Sequence, residues 1–193
     1  LIMLHVLIID ESHSRAEELS ASLNAAGHRV AAVRSSIHDL TAQMEALKPD
    51  IVLIETDSPS RDTLENLAVM SRDMPRPVIM FTHEDNSDIM RAAFRAGVSA
   101  YIVDNLDMAR IKPIIDVAVA RFEEHQILKQ AVADAQQKLS DRKVLEQAKG
   151  LLMKARGLDE EAAYAALRKL SMERAQPMAK VADELLAMAK LLL

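Results

Sequence analysis

Short runs of β-branched and apolar residues alternate with longer stretches of helical periodicity over the first 120 residues. This alternation constrains the fold more than any other feature of the sequence. It is typical of βα units arranged around a parallel sheet. In three of the runs the apolar character is continuous, which predicts that helices cover both faces of the sheet. The predicted strands are residues 5–9, 29–33, 51–54, 78–81 and 100–103.

Helical stretches follow each predicted strand. Gly27 and Gly97 stand where two of them should end, in the place where a left-handed glycine commonly terminates a helix. The sequence therefore predicts an α/β fold with a five-stranded, doubly wound parallel sheet over residues 4–120. The predicted helices lie near residues 14–26, 36–47, 60–72, 85–96 and 107–120.

The second half of the chain shows no strand pattern, and residues that favour helices dominate it. The fifth helix continues through residues 121–138 without Pro or Gly, so we expect a connector helix over 121–137 in place of a flexible linker. Three helices with apolar stripes complete the chain, and they predict a three-helix domain over 138–193. Their expected positions are about 138–155, 160–174 and from Pro177 onward.

The connector has apolar residues at alternating spacings of three and four, the spacing of a coiled-coil seam. Arg121 and His125 interrupt that apolar character. Two interpretations follow: a homodimer formed through the connector helix, or a solvated connector that packs on its own chain. The seam positions are Ala118, Arg121, His125, Leu128, Val132, Ala135 and Leu139.

Composition excludes several classes of protein. No apolar run approaches the roughly 20 residues that span a bilayer, and the start lacks the basic region of a signal peptide. The chain has no cysteine, which excludes disulfides and thiolate metal sites, and we expect a cytoplasmic location. Its five aromatic residues are too few for a base-stacking platform. Without metal-ligand histidine spacing, a glycine-rich phosphate loop or a nucleophile elbow, we expect no enzyme and no required cofactor.

Polar side chains follow three of the predicted strands. Asp10 and Glu11 follow the first, Glu55 the third and Thr82 the fourth. Because ligands of open α/β sheets bind beyond the carboxyl ends of the strands, these residues predict an acidic pocket there. Over residues 4–120 the arrangement resembles a receiver domain of response regulators, with flavodoxin-like strand order. The resemblance implies an acidic pair that holds Mg²⁺, an aspartate that accepts phosphate, and a lysine that pairs with the phosphate.

Two positions depart from the receiver pattern. Glu55 stands at the phosphoacceptor position, and Asp104 stands where the lysine is expected. A glutamate carries its charge permanently, and an added phosphate would lack its usual countercharge. We therefore expect a pseudo-receiver that is not switched by phosphotransfer, with Mg²⁺ bound, if at all, through Asp10, Glu11 and Glu55. Two alternatives remain: phosphorylation of Asp57 or Asp10 by a histidine kinase, or a solvated acidic rim without function.

The C-terminal helices are basic where the first domain is acidic. Residues 138–180 carry 10 Lys and Arg against 6 Asp and Glu, whereas residues 1–120 carry 11 against 18. Local positive charge attracts phosphate, so these helices are candidates for RNA binding, the alternative being a solvated charged face. The candidate RNA-binding residues are Arg142, Lys143, Lys149, Gly150, Arg156, Arg168, Lys169 and Lys180.

Two uncharged residues bear on the same helices. A glycine within a helix costs about 1 kcal/mol relative to alanine, so Gly150 indicates close approach of a nucleotide or of a neighbouring helix to the backbone. Tyr164 is a residue type that stacks on bases, but its place beside Ala163 and Leu167 favours a core position.

Three segments carry a more specific resemblance. Residues 142–153 (RKVLEQAKGLLM), 161–168 (EAAYAALR) and 181–182 (VA) resemble the ANTAR domain, named after the AmiR and NasT antitermination regulators, from about residue 128 to 193. The resemblance implies binding to hairpins of leader mRNA, so that a terminator cannot form and transcription continues. The order of a pseudo-receiver followed by an ANTAR domain is also typical of that family.

The segment 58–65 (SPSRDTLE) further resembles the NasT-like branch, which governs nitrate and nitrite assimilation. That likeness implies a repressor protein that senses nitrate or nitrite. Two other functions stay open: a phosphorylation-switched regulator whose dimerisation activates RNA or DNA binding, and a helical output that binds DNA or protein.

Overall fold

The computed structural model describes residues 3–103 and 108–192. The chain divides into two compact units, Leu1–Gln126 and Ile127–Leu193. Each unit has its own hydrophobic core.

The first unit contains a five-stranded sheet in which every pairing is parallel and the strand order is β2-β1-β3-β4-β5. This confirms the predicted doubly wound fold. The chain moves outward from β1 to β2 and then crosses to β3 on the other side, which creates a switch point at the carboxyl ends of β1 and β3. The strands are β1 (His5–Asp10), β2 (Arg29–Arg34), β3 (Ile51–Glu55), β4 (Val78–Thr82) and β5 (Ala100–Val103).

Alternate residues of the central strands enter two different cores. Leu7 and Val52 face one core, and Ile8 and Leu53 face the other, because successive side chains of a strand point to opposite faces. Helices cover both faces, as the continuous apolar runs predict. The helices of this unit are α1 (His13–Ala25), α2 (Leu40–Leu47), α3 (Arg61–Asp73), α4 (Ser87–Arg95), a 3₁₀ turn (Met108–Arg110) and the start of α5 (Ile111–Arg156).

The local signals for helix ends were partly correct. Gly27 and Gly97 have φ values of 88° and 104°, so both occupy the left-handed conformation expected of them. The second helix begins four residues later than its predicted start at residue 36, because Asp39 is itself left-handed, with φ 56°, and precedes the first helical turn.

Helix α5 is a single unbroken element of 46 residues. The expectation of a separate helix beginning near residue 138 is therefore wrong, since the fifth helix, the connector and the first C-terminal helix are continuous. Ala118 is fully buried in the core of the first unit, so it does not belong to an exposed seam. The seam can begin only beyond this residue.

The second unit packs the end of α5 against α6 (Glu160–Arg174) and α7 (Met178–Leu192). Asp159 caps α6, since its carboxylate accepts a hydrogen bond from the backbone N–H of Ala162 at 2.7 Å. The three-helix arrangement is as predicted. Its buried hydrophobic residues, within the described part of the chain, are three alanines and three larger aliphatic residues: Ala148, Leu152, Ala163, Leu167, Val181 and Ala182.

Candidate functional site

Two carboxylates stand side by side at the carboxyl edge of the sheet. Asp10 and Glu55 are direct partners in the pairing of β1 with β3, so their side chains emerge next to each other. The side chain of Asp10 is completely buried, and that of Glu55 is 16% exposed. Two carboxylates this close and this poorly solvated favour a nearby counter-charge or a proton on one of them.

Arg15 supplies that counter-charge from the first turn of α1. Its Nη2 donates to Oδ1 of Asp10 at 3.3 Å, and its Nε lies 3.0 Å from Oε1 of Glu55, close enough for an ion pair but without hydrogen-bond geometry. Ser12 caps the helix and orients this turn, because its hydroxyl accepts from the backbone N–H of Arg15. The acidic pocket is thus closed by a residue of the same chain.

Sequence reasoning missed Arg15, although one signal was available. The first turn of a helix is the positive end of its dipole and disfavours a cation. An arginine in the first turn after Asp10 therefore points to a carboxylate partner at the strand ends.

The charges of this cluster perturb one another. Partial burial lowers the pKa of the Arg15 guanidinium, but the carboxylates of Glu55 and Asp10 outweigh that effect, so the pKa is raised. Burial also raises the pKa of Glu55, and the negative charge of Asp10 raises it further, with partial compensation from Arg15. Glu55 is therefore held in an environment that disfavours its ionised form.

The donor set does not fit a divalent cation while Arg15 is in place. Mg²⁺ requires an octahedral shell of oxygens, whereas the guanidinium already contacts the two carboxylates that would supply them. Within residues 3–103 and 108–192, no three His, Asp or Glu side chains are grouped to hold a metal ion. Glu11, the third expected ligand, is exposed and lines a cavity of about 210 Å³ together with Glu55 and Ser60.

Thr82 is buried at the end of β4, and its hydroxyl is already engaged. It donates to the backbone carbonyl of Asp57 at 2.8 Å and accepts from the backbone N–H of Glu84 at 3.1 Å. The Asp57 residue itself is exposed on the loop after β3. Asp104, the remaining member of the predicted pocket, lies outside the described residues.

Most of the candidate RNA-binding cations are exposed on the second unit. Lys169 makes a long contact of 3.9 Å with Glu173. The exposed set comprises Arg142, Lys143, Arg156, Arg168, Lys169 and Lys180.

Lys149 differs from these cations because its side chain is only 11% exposed. Its Nζ lies 2.9 Å from Oε1 of Glu146 and 2.7 Å from Oε1 of Glu160. These hydrogen bonds raise the pKa of Lys149 and lower that of Glu160. Lys149 therefore joins α5 to the first turn of α6, and any phosphate it met would compete with two carboxylates.

The surroundings of Gly150 decide between the two interpretations of that residue. A Cβ added at this position would meet nothing within 4 Å, so no neighbouring helix of the described chain packs closely there. The packing explanation for the glycine is wrong within this chain. A bare stretch of helical backbone remains beside Lys149.

Tyr164 is exposed, at 45%, so the expectation that it belongs to the core is wrong. It lines an open cavity of about 350 Å³ with Lys149, Glu160 and Glu161. The residues before and after it on the apolar face, Ala163 and Leu167, fill the core without it. Its ring is therefore available to a partner.

Comparisons with known proteins match both units. The response regulator receiver domain matches residues 6–116, and the ANTAR domain matches residues 133–186. A solved receiver domain of a modulated diguanylate cyclase from Desulfovibrio desulfuricans G20 has a TM-score of 0.56 and 20% identity, covering 64% of this chain and 99% of that one, which shows the shared fold.

Several curated relatives are regulators. The transcriptional regulatory protein PdtaR of Mycobacterium tuberculosis is 28% identical over 94% of this chain and 88% of its own length. The aliphatic amidase regulator of Pseudomonas aeruginosa is 30% identical over 63% of each chain. The nitrate regulatory protein of Klebsiella oxytoca is 33% identical over 46% of this chain and 22% of its own.

The matched domains and the names of these relatives indicate a regulator and not an enzyme. Within the described part of the chain, no helix is long and apolar enough to cross a membrane.

Proposed function

We propose, from the premise that this chain belongs to the response regulator receiver domain family and carries an ANTAR domain, that it binds hairpins of leader mRNA and promotes transcription antitermination. The observation that carries the proposal is the exposed basic surface of the second unit, which lies within the ANTAR match. Six of the eight candidate residues are exposed cations, and Gly150 adds open backbone among them. Because nascent leader RNA is cytoplasmic, the proposal places the protein there.

The direct test is the binding of the full chain to a leader RNA with two adjacent hairpins, measured over a range of salt concentrations. We expect Arg142→Ala/Lys143→Ala to weaken binding and to reduce the salt slope by about one for each phosphate that the variant no longer neutralises. Both residues are exposed, so the fold should be unaffected. These variants are a cleaner choice than Lys149→Ala, which would also break the ion pairs that join α5 to α6.

A matched control removes two exposed arginines from the first unit. Arg61 and Arg72 pair with near neighbours in sequence, Glu65 and Asp73, so Arg61→Ala/Arg72→Ala changes the net charge equally but in the other unit. An equal weakening of RNA binding in the two double variants would contradict the proposed surface. Tighter binding to duplex DNA than to hairpin RNA at the same salt would favour the DNA-binding alternative.

Gly150 provides a prediction in which stability and binding move in opposite directions. Gly150→Ala should stabilise the helix by about 1 kcal/mol, because alanine is the better helix former and its Cβ meets nothing. The same methyl group should weaken RNA binding if a nucleotide lies against this backbone. Urea unfolding and RNA titration of the same preparation measure both effects. Unchanged RNA affinity would exclude close approach at Gly150.

The proposal includes independence from phosphorylation. Its support is chemical, since Glu55 stands at the acceptor position and the Thr82 hydroxyl is already engaged by the backbone of Asp57 and Glu84. Treatment with acetyl phosphate followed by intact-mass measurement is expected to give no adduct. An adduct on Asp57 or Asp10 that alters RNA affinity would instead support a phosphorylation-switched regulator.

We further propose a nitrate- or nitrite-sensing repressor as partner, supported by the likeness to the nitrate regulatory protein and by the segment 58–65. That segment also has a structural role here. Ser60 caps α3 by accepting from the backbone N–H of Thr63 at 3.1 Å, and Arg61 pairs with Glu65. Co-purification with a candidate sensor, released by nitrate, would support the partner, and absence of any complex would contradict it.

A homodimer through α5 is the last part of the proposal. Leu128, Val132 and Leu139 are all more than half exposed and lie on one side of the helix. Gln130 and Gln137 donate to Asp134 and Asp141 on the opposite side. The helix thus has an apolar stripe on one side and hydrogen-bonded polar residues on the other. A second copy of the same helix would cover the apolar stripe.

A further inference from the structure

We propose that Arg15 is a built-in cation that takes the place of a divalent metal at the carboxyl edge of the sheet, so that the chain itself supplies a positive charge to the acidic pocket. This proposal rests on the phosphorylation-independent role proposed above and gives it a physical cause. It concerns only residues of the first unit.

The geometry places a single guanidinium against both strand ends. One nitrogen of Arg15 contacts Asp10 at 3.3 Å, and another lies 3.0 Å from Glu55. Asp10 and Glu55 are paired residues of neighbouring strands, so one guanidinium reaches both carboxylates and offsets one of their two negative charges. A guanidinium keeps its charge at every pH that a protein experiences, and its planar fork suits two carboxylates at once.

The oxygen atoms of Asp10 show why a metal and Arg15 exclude each other. Oδ1 of Asp10 already accepts the backbone N–H of Ser12 at 2.7 Å and the guanidinium of Arg15. A divalent ion bound to the same carboxylates would stand within a few ångströms of a fixed positive charge, and their repulsion would oppose its binding. Arg15 is therefore a competitor for the site as well as a counter-charge.

A second observation concerns the other carboxylate oxygen of Asp10. Oδ2 of Asp10 is buried and has no hydrogen-bond partner among the residues that the structure describes, although a buried carboxylate oxygen is normally satisfied. Removal of the guanidinium would leave this oxygen, Oδ1 and the Glu55 carboxylate without a positive partner. Such a set would recruit a hydrated divalent ion from solution.

The proposal predicts a gain of binding on mutation. In the full-length protein, Mn²⁺ titration followed by electron paramagnetic resonance should detect at least tenfold tighter binding in Arg15→Ala and Arg15→Gln than in the wild type. Arg15→Lys retains a cation and should bind Mn²⁺ no better than the wild type. Arg61→Ala, which removes an exposed arginine of the same unit, is the matched control and should not gain binding.

A stability measurement provides a second, independent result. Mg²⁺ should raise the thermal midpoint of Arg15→Ala or Arg15→Gln and leave those of the wild type and Arg61→Ala unchanged. Recovery of folding by Mg²⁺ in a variant that is otherwise unfolded would give the same support. The proposal is overturned if the wild type binds Mn²⁺ as tightly as the Arg15 variants, or if neither neutral variant binds it. Neither measurement involves RNA, so failure here is distinct from failure of the RNA-binding proposal.

Discussion

At the scale of single residues, the role of a side chain depends more on its surroundings than on its chemical type. Lys149 is predicted to lie on an RNA surface, and the structure shows in addition that it joins two helices through Glu146 and Glu160. Tyr164 was expected in the core and is exposed. In both cases the depth predicted from the sequence was wrong, because the burial of a residue near the border of the apolar stripe depends on the neighbouring helix. The position of that neighbouring helix is known only from the three-dimensional structure.

The strand ends show what sequence can and cannot provide. The parallel topology predicted that Asp10, Glu55 and Thr82 would meet at one edge, and the structure places them at the ends of β1, β3 and β4. Arg15 was missed because it reaches the edge from a helix through a long side chain. The spacing of residues along the chain does not specify which groups the end of such a side chain contacts.

Glu55 carries a prediction about pH. Burial and the charge of Asp10 raise its pKa, so the folded protein binds the proton of Glu55 more tightly than the unfolded chain does. As pH rises from about 4.3, the ordinary value for glutamate, through the raised pKa, the free energy of unfolding should therefore fall. Glu55→Gln carries no such proton and should lack this part of the slope.

Urea unfolding at a series of pH values from about 4 to 7 measures the difference. The exposed Glu65 makes Glu65→Gln a suitable control, and this variant should keep the slope of the wild type. Identical pH profiles for Glu55→Gln and the wild type would contradict the assigned environment of Glu55.

At the scale of elements, the sequence predicted which segments form helices and roughly where they lie. It predicted the ends of those helices less well. The absence of Pro and Gly correctly predicted a helical connector, but no local signal marked the continuation of that helix through residue 138. Gly150 lies within α5 and does not end it, while Gly157, with φ 64°, stands just beyond its end. A glycine alone therefore does not distinguish a terminus from an exposed interior position.

The end of α6 offers a test of backbone strain. Ala175 ends this helix in the left-handed conformation, with φ 49°, a conformation that costs a residue with a Cβ about 1–2 kcal/mol. Ala175→Gly should therefore raise the free energy of unfolding by up to about 1 kcal/mol, after the added entropy of the unfolded chain is subtracted. Urea unfolding followed by circular dichroism measures this change.

The opposite sign is expected at an ordinary helical position of the same element. Ala165 is exposed in the interior of α6, so Ala165→Gly should lower the free energy of unfolding by about 1 kcal/mol. Destabilisation by both substitutions would show that the end of α6 is unstrained.

The exposed stripe of α5 predicts the oligomeric state. Leu128→Lys/Val132→Lys would place like charges on both copies of the seam, and we expect it to convert a dimer into a monomer. Analytical ultracentrifugation of the full chain gives the mass directly. Gln130→Lys/Gln137→Lys adds the same charge on the opposite side of the helix and should leave the mass unchanged. A monomeric wild type would favour the solvated connector.

At the scale of the whole molecule, the two units differ in the size of their cores. The first has a sheet with apolar residues on both faces, whereas the second buries mainly alanines with a few larger side chains. Small domains bury a smaller share of their surface and are correspondingly less stable. The charge distribution indicated two modules, one acidic and one basic. The relative stability of the two units, however, follows only from the size of the side chains that each core buries.

We expect the second unit to unfold at a lower urea concentration than the first. Leu167→Ala, at a fully buried position of α6, should lower the stability of the second unit by about 2–5 kcal/mol and leave the transition of the first unit unaffected. The chain has two tyrosines, Tyr101 in the first unit and Tyr164 in the second, so tyrosine fluorescence of Tyr164→Phe reports the first unit alone. A single coincident transition for all probes would contradict separate unfolding.

The length of α5 that lies outside both cores has a further consequence. Residues 127–140 are exposed without interruption, so nothing in the described part of the chain packs against this stretch to protect its backbone hydrogen bonds. A helix of such length is marginal in water when isolated. Its amide hydrogens should therefore exchange with deuterium far sooner than those of the sheet, unless a second copy covers the stripe. By mass action the order of this stretch then rises with the concentration of the protein itself.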